Sequence, residues 1–341
     1  MKARVLAADP NMDTREGSIV HAALAPAAVE LQNMYIALDV ILNETFADTA
    51  QRPYLILRAK ERALEPYPAT NAVLRAEMNM DVPLGTRFSC DGLTFEVTQR
   101  IAMGMYQLRC EAAGVAGNTA QGALVPVDYI DGLTTANLVQ LLIPGQDAEE
   151  TEHFRTRYFA SLSTQTFGGN AADYQIKVKQ IPGVGGVKVT PAWAGGGTVL
   201  LTVLAADFSA PTQTLLDAVQ LAMDPPQNAG QGLGIAPIGH VVTVAGVQAH
   251  TVDVAAAITY ASGWTWADVA PYATAAVDAY FAQLAREWEA LDAIIVRISQ
   301  IEARLLALPG VADVTGVTLN QSAQNLTLAI SCIPVRGDVV G

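Results

Sequence analysis

The sequence predicts an α+β chain: N-terminal helices, a β-rich module, then two small α/β modules, each with a helix, a Pro-Gly turn, a strand and a hairpin. Three observations carry this. Apolar residues recur at spacings of three and four between Leu31 and Thr45. Alternation of period two runs from Val73 to Cys110 about an Asp91-Gly92 turn. A hydrophobic residue, Pro-Gly-Val, two residues and Val follow a helical stretch twice, as Ile181-Pro182-Gly183-Val184 with Val187, and Leu308-Pro309-Gly310-Val311 with Val314.

Taken in order, the first segment (1–66) is helical. Leu31, Met34, Tyr35, Leu38, Ile41, Leu42 and Thr45 form a narrow apolar stripe, close to a coiled-coil seam. Such a stripe either docks on the protein's own core or bundles with a helix of another subunit. A second helix is expected over 53–64, with Pro53 in its first turn, where the missing N–H costs nothing. Glu65-Pro66-Tyr67-Pro68 breaks it.

The β-rich module spans 67–145. Leu74, Ala76, Met78 and Met80 alternate with Val73, Arg75, Glu77 and Asn79. Val82-Pro83-Leu84-Gly85-Thr86 reads as a turn, and 88–97 as a hairpin about Asp91-Gly92. Tyr106, Leu108 and Cys110 mark a further strand. Gly114, Gly117 and Asn118 mark a tight loop. Strand signals end near Asp131-Gly132, and a boundary lies near Ile143-Pro144-Gly145.

The third segment (146–250) opens on the acidic run Asp147-Ala148-Glu149-Glu150-Thr151-Glu152, which reads as a helix N-terminus rather than a metal site. That helix continues through Phe154, Arg157, Tyr158 and Leu162. Phe167-Gly168-Gly169-Asn170 ends it, and Asn170 caps a helix over 171–180. The first Pro-Gly-Val unit follows, then a strand over 198–204, a helix over 212–223 and a strand over 241–244. The last segment (251–341) holds a strand over 252–260, a helix over 266–288, a helix over 294–306, the second Pro-Gly-Val unit and a strand over 325–330. No element is expected beyond Ile330. Glycine and proline placement puts hinges at Pro144-Gly145 and near Gly168-Gly169.

Composition narrows the function. With 51% hydrophobic and 16% charged residues, the chain has too much apolar and too little charged character for a disordered protein. Sparse surface charge fits a surface covered by partners. Net charge is −13, and between Lys188 and Arg297 the one basic residue, Arg286, faces nine acidic ones. Phosphate recognition needs a basic stripe, so nucleic acid and anionic membrane surfaces are disfavoured as partners. Met1-Lys2-Ala3-Arg4-Val5 lacks the apolar core of a signal peptide, and no run reaches the length of a membrane span. A soluble, cytoplasmically made protein is expected. Cys90, Cys110 and Cys332 match no zinc spacing and read as buried free thiols.

Chemistry is not visible. Gly195-Gly196-Gly197 and Gly230-Gln231-Gly232-Leu233-Gly234 lack the lysine and helix start of a phosphate loop and read as turns. His21, His153, His240 and His250 share no metal-type spacing. Glu287 and Glu289 sit late in a helix, on a solvated face. Catalytic, cofactor-binding and metal residues are therefore expected to be none, and the chain is read as no enzyme.

The run Phe167-Gly168-Gly169-Asn170-Ala171-Ala172-Asp173-Tyr174, then Ile181-Pro182-Gly183-Val184, Val187-Lys188-Val189, Trp193 and Gly195-Gly196-Gly197-Thr198-Val199, resembles the phage baseplate J-like family of Mu-type tails and defective Bacillus prophages. Pro68-Ala69-Thr70, Ala72-Val73-Leu74-Arg75, Val82-Pro83-Leu84-Gly85-Thr86-Arg87-Phe88, Ala113-Gly114, Gly117-Asn118 and Gly232-Leu233-Gly234-Ile235-Ala236-Pro237-Ile238-Gly239-His240 fit the same family in order. The resemblance implies a structural wedge subunit of a contractile-tail baseplate, in a phage or a tail-like particle, assembled in the bacterial host cytoplasm. Implied partners are other copies of the chain, a second wedge protein, and hub or sheath-initiator-type proteins. No cofactor is implied. Contact surfaces are expected at the two ends: Leu31, Met34, Tyr35, Leu38, Ile41 and Leu42 on the first helix, and Leu326, Leu328 and Ile330 on the terminal strand. The competing reading is a tail adsorption or carbohydrate-binding component, with Trp264 and Trp266 as candidate platforms. An enzymatic tail hydrolase is a third, with no visible carboxylate or metal cluster.

Overall fold

The structure is a computed structural model describing residues 1–163 and 168–341. Phe167, which opens the Phe-Gly-Gly-Asn run, lies outside the described residues. The described chain falls into two compact units.

The first unit joins Met1–Tyr67 to the segment beginning at Glu149. Its helices are α1 (Lys2–Ala8), α2 (Ile19–Thr45), α3 (Arg52–Lys60) and α4 (Thr151–Ser163). Ser18 caps α2 by accepting the His21 N–H at 3.1 Å. Pro53 lies in the first turn of α3, as its sequence context predicts. A small core forms from Ala47, Ala50, Leu55 and Ala59 with Phe154 and Tyr158 of α4. The acidic run leads into α4, and Glu149 within it is buried. The Glu149 carboxylate accepts from Arg157 Nη2 at 2.7 Å and Nε at 3.0 Å, and from the Tyr67 N–H at 3.0 Å. The Glu149 N–H in turn donates to the Tyr67 carbonyl. Burial alone would push this carboxyl up, but Arg157, the Tyr67 N–H and His153 together hold it below the usual range.

The second unit holds three cores. The first lies inside a seven-stranded sheet of β1 (Asn71–Met78), β2 (Arg87–Cys90), β3 (Leu93–Ala102), β4 (Met105–Ala113), β5 (Gly122–Ala123), β6 (Val125–Pro126) and β7 (Ala136–Ile143), in the order β5-β7-β1-β4-β3-β2-β6. The two outer strands, β5 and β6, are separated only by Leu124, so the chain itself carries one edge across to the other and the sheet is a nearly closed barrel. Alternate residues Leu74, Ala76 and Met78 point inward with Phe88, Phe95, Tyr106, Leu108 and Leu138. Asp91 (φ 51°) and Gly92 (φ 77°) both take the left-handed conformation that a two-residue hairpin requires. β7 has no counterpart in the strand signals, which fade at Gly132. Its pairing with β1 shifts register between Val73 and Leu74 and between Arg75 and Ala76, and these irregularities break the period-two pattern.

The barrel's neck is closed from both sides. Thr70 N–H donates to the Gln146 carbonyl at 2.8 Å. Asn118 accepts from the Gly145 N–H at 2.7 Å and donates to its carbonyl at 2.9 Å. A side chain on Gly145 would collide with the Gly114 carbonyl and the Ala72 nitrogen. Pro144 and Gly145, read from the sequence as a hinge, are therefore buried and clamped.

The central part contains α5 (Ala171–Lys179), β8 (Val184–Pro191), β9 (Thr198–Ala205), α6 (Gln213–Met223) and β10 (Val241–Gly246). Asn170 caps α5 by accepting the Asp173 N–H. β9 pairs antiparallel with β8 and parallel with β10. The C-terminal part contains β11 (Gln248–Tyr260), α7 (Trp266–Glu287), β12 (Ile295–Val296), α8 (Ile298–Leu306), β13 (Val311–Leu319), β14 (Leu326–Thr327) and β15 (Cys332–Val340). Here the sequence expectation needs correcting. After the second Pro-Gly turn, β13 pairs with β11, not with the strand that follows it. The strand expected over 325–330 shrinks to two residues paired with β12, and Leu328 drops into the core. The chain continues past Ile330 into β15, parallel to β11 on the sheet edge. Pro334 and Gly337 lower its strand propensity, and an edge strand is where a proline is tolerated.

Both Pro-Gly turns serve the same geometry. Gly183 (φ 88°) and Gly310 (φ 80°) are left-handed. A Cβ on Gly310 would sit 2.2 Å from the Trp264 ring. Contacts joining the central and C-terminal parts include Lys188 Nζ, which donates to the Leu291 carbonyl at 2.6 Å beneath the Trp288 ring, and Lys179, which pairs with Glu289 at 2.5 Å. Among the described residues no helix is long and apolar enough to cross a membrane.

Candidate assembly surface

The 27-residue helix α2 buries none of its residues. Its charged side chains are Glu30, Asp39 and Glu44, with no lysine or arginine between Ile19 and Thr45. The six residues singled out by spacing are all exposed: Leu31 by 37%, Met34 by 50%, Tyr35 by 69%, Leu38 by 47%, and Ile41 and Leu42 by 60% each. Docking on the protein's own core, one of the two readings of the stripe, is not what these residues do. Val29, Ile36 and Val40 are also exposed, so apolar surface continues around the helix beyond the narrow stripe. These three were missed, although their spacing of seven and four was present in the sequence. Leu31, Tyr35, Ile36 and Val40 line a shallow groove of about 540 Å³ with Met1 and Asp39. So much exposed apolar surface on one helix is what a surface covered by another molecule looks like.

The C-terminal trio is placed differently. Leu328 is buried, Leu326 packs half-buried against the same core, and Ile330 is exposed. The Ile330 carbonyl accepts the Trp288 indole N–H at 2.8 Å, which pins the segment. The trio and the α2 residues belong to different units.

The motif runs that looked familiar in the sequence meet in space. Gly169 sits so close to Pro237 and His240 that a Cβ there would lie 2.8 Å from the Pro237 ring. Tyr174 and the His240 ring stack, with Tyr174 Oη 2.9 Å from Nδ1. Burial, with Asp224 and Asp173 adding to it, pushes the Tyr174 phenol up to about 12. Gly195, Gly197, Gly230 and Gly232 all have positive φ, as turns require. Trp264 lies against Gly310 and stays partly exposed, and the half-buried Trp266 lies against Gly341. Cys90 and Cys110 are buried in the barrel, where burial raises both thiols, and Cys332 is half-buried. Among the described residues no group of His, Cys, Asp and Glu is placed to hold a metal ion.

Three family descriptions match the chain in sequence: the baseplate J-like protein barrel domain over residues 71–141, the central domain over 166–246 and the C-terminal domain over 252–341. The chain belongs to the baseplate J-like family. The phage-like element PBSX protein XkdT of Bacillus subtilis is 36% identical over 96% of this chain and 92% of its own length. The uncharacterized protein YqbT of the same organism shows the same identity and coverage. Baseplate protein gp47 of Escherichia phage Mu is 30% identical over 36% of each chain. The family's role is structural, and this baseplate J-like chain shares its three matched domains. The barrel, central and C-terminal matches coincide with the three cores of the second unit, whereas α2 lies outside all of them.

Proposed function

We propose that this chain is a non-enzymatic wedge subunit of the baseplate of a contractile phage tail or tail-like particle. It assembles with copies of itself, a second wedge protein and hub or sheath-initiator-type proteins around the tail tube, and needs no cofactor. The observation that carries this reading is α2: a helix with no buried residue and a run of exposed apolar side chains from Val29 to Leu42, outside the three family domains. We assign Leu31, Met34, Tyr35, Leu38, Ile41 and Leu42 to a bundle with helices of other subunits, and Ile330 to a contact at the C-terminal part. The charges on α2 are all acidic, which favours a bundle partner carrying lysine or arginine at its flanks. Electron microscopy of the intact particle tests this. Helices of other chains should enclose α2 along its length. An α2 facing open solvent in the assembled particle would overturn the assignment.

A further inference from the structure

The strand β10 lies at the edge of its sheet, with β9 on one side and no strand on the other. An exposed edge strand is a template for pairing with another chain, and a protein packed among copies of itself meets that hazard at high local concentration. Three of the outward backbone groups of β10 have side-chain partners. Gln220 on α6 accepts the Val244 N–H through Oε1 at 3.0 Å and donates through Nε2 to the Val242 carbonyl at 3.0 Å. A parallel neighbouring strand would make the same two bonds with one of its residues opposite Thr243. The carboxamide thus takes the place of a peptide group. Asp224, buried at the end of the same helix, accepts the Val242 N–H at 3.0 Å and the Gly230 N–H at 3.0 Å.

The other sheets follow the same rule by other means. The barrel's outer strands are joined through Leu124. β15 carries Pro334, which has no N–H to offer a further strand. On β13 the Val314 N–H is taken by the Asp313 carboxylate.

We propose that Gln220 and Asp224 guard the β10 edge of the central sheet against strand addition by a second copy of this chain. The test uses the full-length protein. Q220L removes both carboxamide bonds and leaves the Val242 carbonyl and the Val244 N–H open. Sedimentation velocity should then show a several-fold rise in large species over wild type, with infrared absorption of intermolecular β-structure. V244P in the Q220L background removes the open N–H and should return the large species to the wild-type level. The proline's nitrogen faces away from β9, where an edge strand accepts it. Circular dichroism of V244P alone verifies that the strand tolerates the change. A folded Q220L chain with no more large species than wild type would overturn the proposal. So would association that V244P, itself folded, fails to reverse, because that pattern belongs to general destabilisation.

Discussion

Replacing Leu38 and Ile41 with aspartate tests the bundle assignment at its centre. Both side chains are about half exposed in the isolated chain, Leu38 by 47% and Ile41 by 60%. Enclosing the remainder in a bundle is worth about 1 kcal/mol for each. An aspartate sealed into an apolar seam without a partner adds a desolvation penalty of about 2 kcal/mol or more for each. The double variant should therefore lose about 6 kcal/mol or more of association energy, or more than roughly ten-thousandfold in affinity. The chain itself should melt within about 0.5 kcal/mol of wild type, because α2 contributes no buried residue to either unit. Co-purification with the other baseplate proteins, followed by native mass spectrometry, reads the first quantity, and thermal unfolding reads the second. Assembly at wild-type yield would refute the bundle. A large fall in melting temperature would refute the claim that α2 carries no intramolecular packing.

Gly310→Ala combines a left-handed backbone with a collision against the Trp264 ring and should cost about 2–4 kcal/mol in urea unfolding, whereas Gly195→Ala, equally left-handed but in open space, should cost about 1 kcal/mol. Glu149→Gln breaks a buried pair with Arg157 and should cost about 3 kcal/mol by the same measure. Because the folded carboxyl of Glu149 lies below its ordinary value, its stabilisation is complete above the unfolded value and is lost as pH falls through the folded one, so the variant should flatten the stability profile below about pH 4. Cys90 and Cys110 should resist a thiol reagent until the barrel unfolds, while the half-buried Cys332 should react sooner, as labelling followed by peptide mass spectrometry will report.

Local signals with a single cause were legible in the sequence. The Asp91-Gly92 hairpin and both Pro-Gly turns rest on left-handed backbone that few residues adopt, and the Asn170 cap rests on a short side-chain acceptor, so the residue type names the geometry. Pairing over distance was not legible. That β13 seeks β11 and leaves β14 to β12 depends on which strand is already in place when the turn is made, and the period-two pattern is the same for either choice. β15 was hidden by Pro334 and Gly337, and β7 by register shifts. At the assembly surface the α2 stripe was readable, but Ile36 and Val40 were not noticed, since a search for one seam finds one seam. The guards Gln220 and Asp224 look like ordinary polar helix residues. Their role exists only once α6 lies along β10.

The neck of the barrel has a mechanical consequence. The chain enters β1 and leaves β7 side by side, with Thr70 bonded to Gln146 and Gly145 gripped by Asn118. A pull on the main chain from both directions meets these few bonds first and passes from one side of the neck to the other. The strands between, matched as a family domain over 71–141, are closed off by that crossing, and the end of β7 is held besides by Thr212, whose hydroxyl donates to the Leu142 carbonyl. Tension applied to the chain on either side of the neck therefore reaches these bonds before it reaches the strands between.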